Sequence, residues 1–77
     1  VDDNYKDHLM RHCQVNNKQL PEYRVAGHHE GLFYIDVYID NNYVSRGIAK
    51  SKKQAEQEAA KHFFQGLEYL KQQGFIQ

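Results

Sequence analysis

The chain has 77 residues, is 40% hydrophobic and 13% aromatic, carries ten Lys and Arg against ten Asp and Glu, and holds one Pro and one Cys. That length suits one folded domain burying only ~60% of its unfolded surface, so stability is modest. The zero formal charge points to neither nucleic acid nor membrane. The lone Cys13 excludes an internal disulfide framework and fits a reducing cytoplasm, and no apolar run approaches the ~20 residues of a membrane span.

Residues 1–4 are polar and acidic and read as the end of a tether from an upstream domain. The chain starts at Val1 without a signal-peptide pattern or a starting Met, so we expect a piece of a longer protein. Residues 5–73 form the expected domain and 74–77 a tail. Tyr5, Leu9 and Cys13 recur every four residues and line one face of a first helix. Cys13 on that stripe reads as a small core residue. The helix ends in the polar run 14–19, where Asn16 and Asn17 are weak helix formers, and Pro21 then holds Leu20 extended.

Tyr23 and Val25 alternate with Glu22 and Arg24 in a short first strand, and residues 27–31 read as a loop. Phe33, Ile35, Val37 and Ile39 then alternate with Tyr34, Asp36, Tyr38 and Asp40, the clearest period-two signal in the chain. Asp40, Asn41 and Asn42 tolerate left-handed backbone and predict a tight hairpin. A third strand follows over 43–49, its regular part ending near Gly47. Ser51 and Gln54 match a capping box. Ala55, Ala59, Phe63, Leu67 and Leu70, widened by Ala60 and Phe64, form an apolar stripe on a helix to about Gln73, with Gly74 as its stop. The fold class is α+β, in the order α-β-β-β-α, with both helices on one face of a three-stranded antiparallel sheet.

Charge is unevenly spread. Residues 1–43 hold four cations against seven carboxylates, whereas residues 44–53 hold Arg46, Lys50, Lys52 and Lys53 with no acid. Lys52 and Lys53 occupy the first turn of the last helix, where the macrodipole disfavours a cation by ~0.3–1 kcal/mol each. Free N–H groups and two ammonium groups at one helix end can form an anion site, although exposed lysines that are merely solvated have the same spacing.

Residues 51–63, SKKQAEQEAAKHF, resemble the second-helix signature of the double-stranded RNA-binding domain. NYKDHLMRHCQ (4–14) is similar to that family's first helix, LPEYRV (20–25) to its first strand, and FYIDVYIDNNYVSRGIAKS (33–51) to its second and third strands with their hairpin. The Y-K opening, L-P-x-Y and K-K-x-A-E look most like the C-terminal domain of bacterial-type ribonuclease III.

The resemblance implies binding of A-form RNA over ~16 base pairs, through two minor grooves and the phosphates between them, with little reading of sequence. It assigns phosphates to Lys52 and Lys53, with Ser51 capping their helix and Lys50 adding charge. Asp7, Met10, Arg11 and Gln14 match the face of the first helix that enters a minor groove. There Arg11 can donate to a 2′-hydroxyl or phosphate, and Met10 makes only apolar contact. Glu56 replaces a residue that is basic in many relatives and takes no phosphate. The family's Gly-Pro-x-His loop is replaced by a shorter stretch without Pro, leaving His28 or His29 to stand in for its histidine. Ser45 and Ala49 replace common glycines, with little expected consequence.

The implied partners are double-stranded RNA and an upstream catalytic domain of the same chain, with a homodimer through the parent protein as an option and no membrane. No cofactor is expected in this domain. Mg²⁺ belongs to the presumed upstream nuclease domain, and the fragment itself is not an enzyme. The rival reading is a module of the same fold that docks proteins or dimerises and binds RNA weakly or not at all. His8 with His12, and the run His28-His29-Glu30, carry metal-ligand types, but no spacing supplies a converging third ligand. Tyr34 and Tyr38 could stack single-stranded bases as in an RRM, but that fold needs four strands, and cross-strand packing with Tyr43 suits them better.

Overall fold

The computed structural model describes residues 4–74; the expected tether over residues 1–3 and tail beyond Gly74 lie outside the described residues. The elements run α1 (Tyr5–Val15), β1 (Glu22–His29), β2 (Leu32–Ile39), β3 (Asn42–Ala49) and α2 (Lys52–Gln72). The sheet is antiparallel in the order β1-β2-β3, so the strand with the strongest alternation lies at its centre.

Asn4, grouped with the tether in the sequence reading, caps α1: its side chain accepts from Asp7 N at 3.3 Å and from Gln57 Nε2 at 3.0 Å. At the other end of α1 the chain turns through Asn17 at φ 56°, and Lys18 N donates to Cys13 O at 2.8 Å. Asparagine pays little for that left-handed backbone, which lets the helix end without glycine.

Both hairpins close in two residues. Asp40 and Asn41 have φ of 51° and 64°, and Glu30 and Gly31 have φ of 52° and 76°. Positive φ at both central positions is the type I′ signature, whose twist matches that of paired strands. The second hairpin corrects an expectation. Residues 27–29 are strand, not loop, pairing Gly27 with Tyr34, His28 with Phe33 and His29 with Leu32 after an irregularity at Ala26. The stretch shows no apolar alternation because it runs past the core, where hydrogen bonding to β2 alone specifies it. β3 likewise continues to Ala49, opposite Phe33.

The core lies between sheet and helices. Leu9 and Cys13 of α1 meet Val37 and Ile39 of β2 and Ala59 and Ala60 of α2, flanked by Tyr5, Tyr23, Val44, Phe63 and Phe64. Burial pushes the Cys13 thiol upward in pKa, helped by the Asp40 carboxylate. Burial also raises the Tyr23 phenol, with Glu56 adding to it, and that hydroxyl has no hydrogen-bond partner among the described residues.

Two small residues set how closely α2 rests on β3. Gly47 is buried, and a methyl group there would land on Ala55 O and Ala59 N. Ser45 is buried and its hydroxyl donates to Ala59 O at 2.7 Å. The serine is thus a tie between β3 and α2, more than the neutral replacement the sequence suggested.

Candidate nucleic-acid interface

Ser51 opens α2 in extended backbone, and its Oγ accepts from Gln54 N at 3.1 Å. That satisfies one of the free N–H groups of the first turn. The turn contains no acidic residue. Lys50, Lys52 and Lys53 are all exposed, and none pairs with a carboxylate among the described residues.

The neighbouring turn explains how this end is oriented. Glu56 and Gln57, four residues beyond Lys52 and Lys53, hold the start of α1. Glu56 Oε1 accepts from Lys6 Nζ at 2.5 Å, while Gln57 accepts from Lys6 N at 3.2 Å and donates to Asn4 Oδ1. The Lys6 ammonium also lies 5.0 Å from the Tyr23 ring centroid. Residues four apart share a helix face, so the two lysines stand on the side of α2 that meets α1. On α1, Asp7, Met10, Arg11 and Gln14 are spaced by three and four and are all exposed, forming one continuous stripe.

The two candidate histidines separate. His28 stacks on Phe33 with ring centroids 3.9 Å apart and planes 6° from parallel. Lys52 Nζ lies 5.9 Å from the centroid of that same Phe33 ring. His29, one residue on, points its Nε2 toward Glu30 at 3.6 Å and is largely exposed. The structure therefore brings His28, not His29, to the lysine end of α2. Glu56 faces α1 and not the open end of the helix. The Lys6–Glu56 pair and the His28–Phe33 stack were not foreseen, because both depend on register and helix docking.

The opposite face of the sheet is a contrasting electrostatic environment. Arg46 donates to both oxygens of Asp36, at 2.6 and 3.1 Å, and Asp36 is itself buried. This removes Arg46 from the basic run counted in the sequence. The Asp36 hydrogen bond raises the Arg46 guanidinium further above its ordinary pKa. Arg24 pairs with Glu22 through two hydrogen bonds and covers the Tyr38 ring at 3.8 Å, and Tyr38 meets Tyr43 edge-on at 6.1 Å. The Arg24 hydrogen bond holds the Glu22 carboxyl below the usual range. The tyrosines therefore pack across strands.

Two other histidines lie against aromatic rings, and His62 Nδ1 lies 2.6 Å from Arg46 O. His12 lies edge-on to Phe63 and Phe64, and His8 lies edge-on to Tyr5. Among the described residues no three His, Cys, Asp or Glu side chains gather as metal ligands, and no helix is long and apolar enough to cross a membrane.

The family model described as "Double-stranded RNA binding motif" matches residues 5–67. Ribonuclease 3 of Borreliella burgdorferi is 32% identical over 70 residues, covering 86% of this chain and 29% of that protein. Ribonuclease 3 of Streptococcus pneumoniae is 37% identical over 62 residues, covering 75% of this chain and 27% of that protein. The chain thus spans under a third of the length of these curated relatives. A solution structure of both dsRBDs of DRB4 with their linker superposes with a TM-score of 0.67 at 30% identity, covering 90% of this chain and 47% of that one. With its α-β-β-β-α order and a family match across most of its length, the chain belongs to the double-stranded RNA-binding domain family.

Proposed function

We propose that this domain binds A-form double-stranded RNA with little sequence preference and serves as the substrate-holding module of a ribonuclease III-type endoribonuclease. The single observation that carries the reading is the end of α2. Three lysines there have no carboxylate partner among the described residues, although the chain has enough acids to balance every base.

Lys52 and Lys53 take phosphates across the major groove, with Lys50 assisting and Ser51 presenting the helix end. Arg11, Gln14 and Met10 on the exposed stripe of α1 enter one minor groove. There the 2′-hydroxyls distinguish RNA from DNA. His28 reaches toward the second minor groove from the β1–β2 hairpin. His29 is the weaker candidate, since it turns toward Glu30. In a parent chain of this type, Mg²⁺-dependent cleavage belongs to an upstream domain, and pairing of two copies would run through the parent protein. The single buried Cys13 suits a reducing cytoplasm.

The test is a competition titration of one labelled RNA duplex against unlabelled duplex RNA, duplex DNA and single-stranded RNA of the same sequence. Only duplex RNA should compete efficiently. Equal competition by DNA would remove the minor-groove role. Negligible duplex binding together with concentration-dependent self-association would favour the protein-docking reading.

A further inference from the structure

We infer that His28 and Phe33 form a stacking site for one unpaired RNA base, placed beside the phosphate-binding end of α2; this rests on the duplex-binding reading above. The ladder pairs the two residues directly across β1 and β2, and their rings are nearly parallel at 3.9 Å. One face of the imidazole is thereby committed to Phe33. His28 is otherwise exposed, and its side chain makes no second ring contact, hydrogen bond or ion pair among the described residues.

Position gives the stack its meaning. Phe33 alternates with Ile35 and Val37, so it lies on the sheet face that the helices cover. The ring pair therefore faces the same side as α2 and sits at its first turn, next to the Lys52 ammonium. A two-residue turn at Glu30 and Gly31 closes the hairpin, so no floppy loop must be ordered before the rings can be used. On the other face the half-buried Tyr38 differs, being covered by Arg24 and flanked by Tyr43.

The chemistry selects the ligand. A base within a duplex has both faces occupied by its neighbours and offers nothing to a flat ring. A bulged or terminal base has a free π-face, and its phosphate carries the charge that an adjacent ammonium can meet. A stacking pair with a lysine beside it answers both halves of one nucleotide. Base stacking on a protein ring is worth at least about fivefold in affinity. The domain should therefore prefer a duplex interrupted by an unpaired base over a perfect one.

The experiment measures binding of the 77-residue chain to a blunt RNA duplex and to the same duplex carrying one bulged 2-aminopurine, with quenching of that base as a second readout. The unaltered protein should bind the bulged duplex about fivefold or more tightly and quench its fluorescence. His28→Ala should bring the affinity ratio to one and abolish the quench, while His28→Phe, which keeps a flat ring, should retain both. A ratio near one in the unaltered protein, a ratio that survives His28→Ala, or one that His28→Phe loses overturns the site. Failure of the duplex reading shows separately, as absence of binding to the blunt duplex while the bulged base is still quenched.

Discussion

The lysine end of α2 and the open face of the sheet are both rich in cations, yet they are wired differently. On the sheet face Arg24 and Arg46 are each held by two hydrogen bonds to a carboxylate. Lys6 and Lys18 are likewise matched, with Glu56 and Asp40. At the start of α2, Lys50, Lys52 and Lys53 stand without such partners among the described residues, and two of them stand against the helix dipole. The chain is neutral overall, but a polyanion meets the unpaired charge, and Lys50, Lys52 and Lys53 gather at one end, whereas Arg11, Lys61 and Lys71, which also lack a carboxylate partner among the described residues, are spread along the two helices. Net charge alone is therefore a poor guide to partners for a domain of this size.

The strongest way to break the contrast is to move α2. Gly47→Ala would push a methyl group into the backbone of α2 at Ala55 and Ala59, and no single side-chain rotation relieves backbone overlap. We expect about 3 kcal/mol of destabilisation or more, a large share of the roughly 4–12 kcal/mol a domain this long possesses, with RNA affinity lost alongside. Thermal unfolding followed by circular dichroism checks it; an unchanged midpoint would mean that the close approach does not set the helix position.

A smaller perturbation acts on the link between the helices. Family resemblance makes Glu56→Lys look like a gain of RNA charge, but in this fold it strands Lys6 beside a second ammonium. It should cost ~0.5–1 kcal/mol and lower the midpoint by a few degrees. The exchange Lys6→Glu with Glu56→Lys rebuilds the pair and should recover most of the loss, which a double-mutant cycle measures.

The mildest effect belongs to the sheet face and is a matter of pH. The Arg24 hydrogen bond lowers the Glu22 pKa, so its stabilisation is present above the ordinary carboxylate range and is lost as pH falls through the depressed value. Glu22→Gln should therefore melt slightly below the unaltered protein at neutral pH and match it in acid, with duplex affinity the same for both. A gap that widens on acidification would reverse that assignment.

Local rules made much of the framework legible. The alternation through Ile35, Val37 and Ile39, the Ser51 cap, the turn at Asp40 and Asn41 and the buried stripe of α1 each follow from a few neighbouring residues. Residues 27–29 were hidden because their strand lies beyond the core and so carries no apolar pattern. Choosing between His28 and His29 required the register after Ala26, since one step along a strand changes faces. The pairing of Arg46 with Asp36 depends on the β2–β3 register, and Lys6 with Glu56 on the docking of helices at opposite ends of the chain. A signal existed for the tight β3–α2 contact, because glycine inside a strand often marks a close backbone approach, and Gly47 is such a residue.

The most direct test of the unpaired-lysine account is the salt dependence of duplex-RNA affinity, compared among the unaltered protein, Lys52→Ala with Lys53→Ala, and Arg24→Ala with Arg46→Ala. Each phosphate contact contributes about 0.9 to the slope of log K against log salt on duplex DNA, so the lysine pair should remove about two units of slope and the arginine pair none. A slope that the lysine changes leave intact, or that the arginine changes reduce equally, would contradict the account.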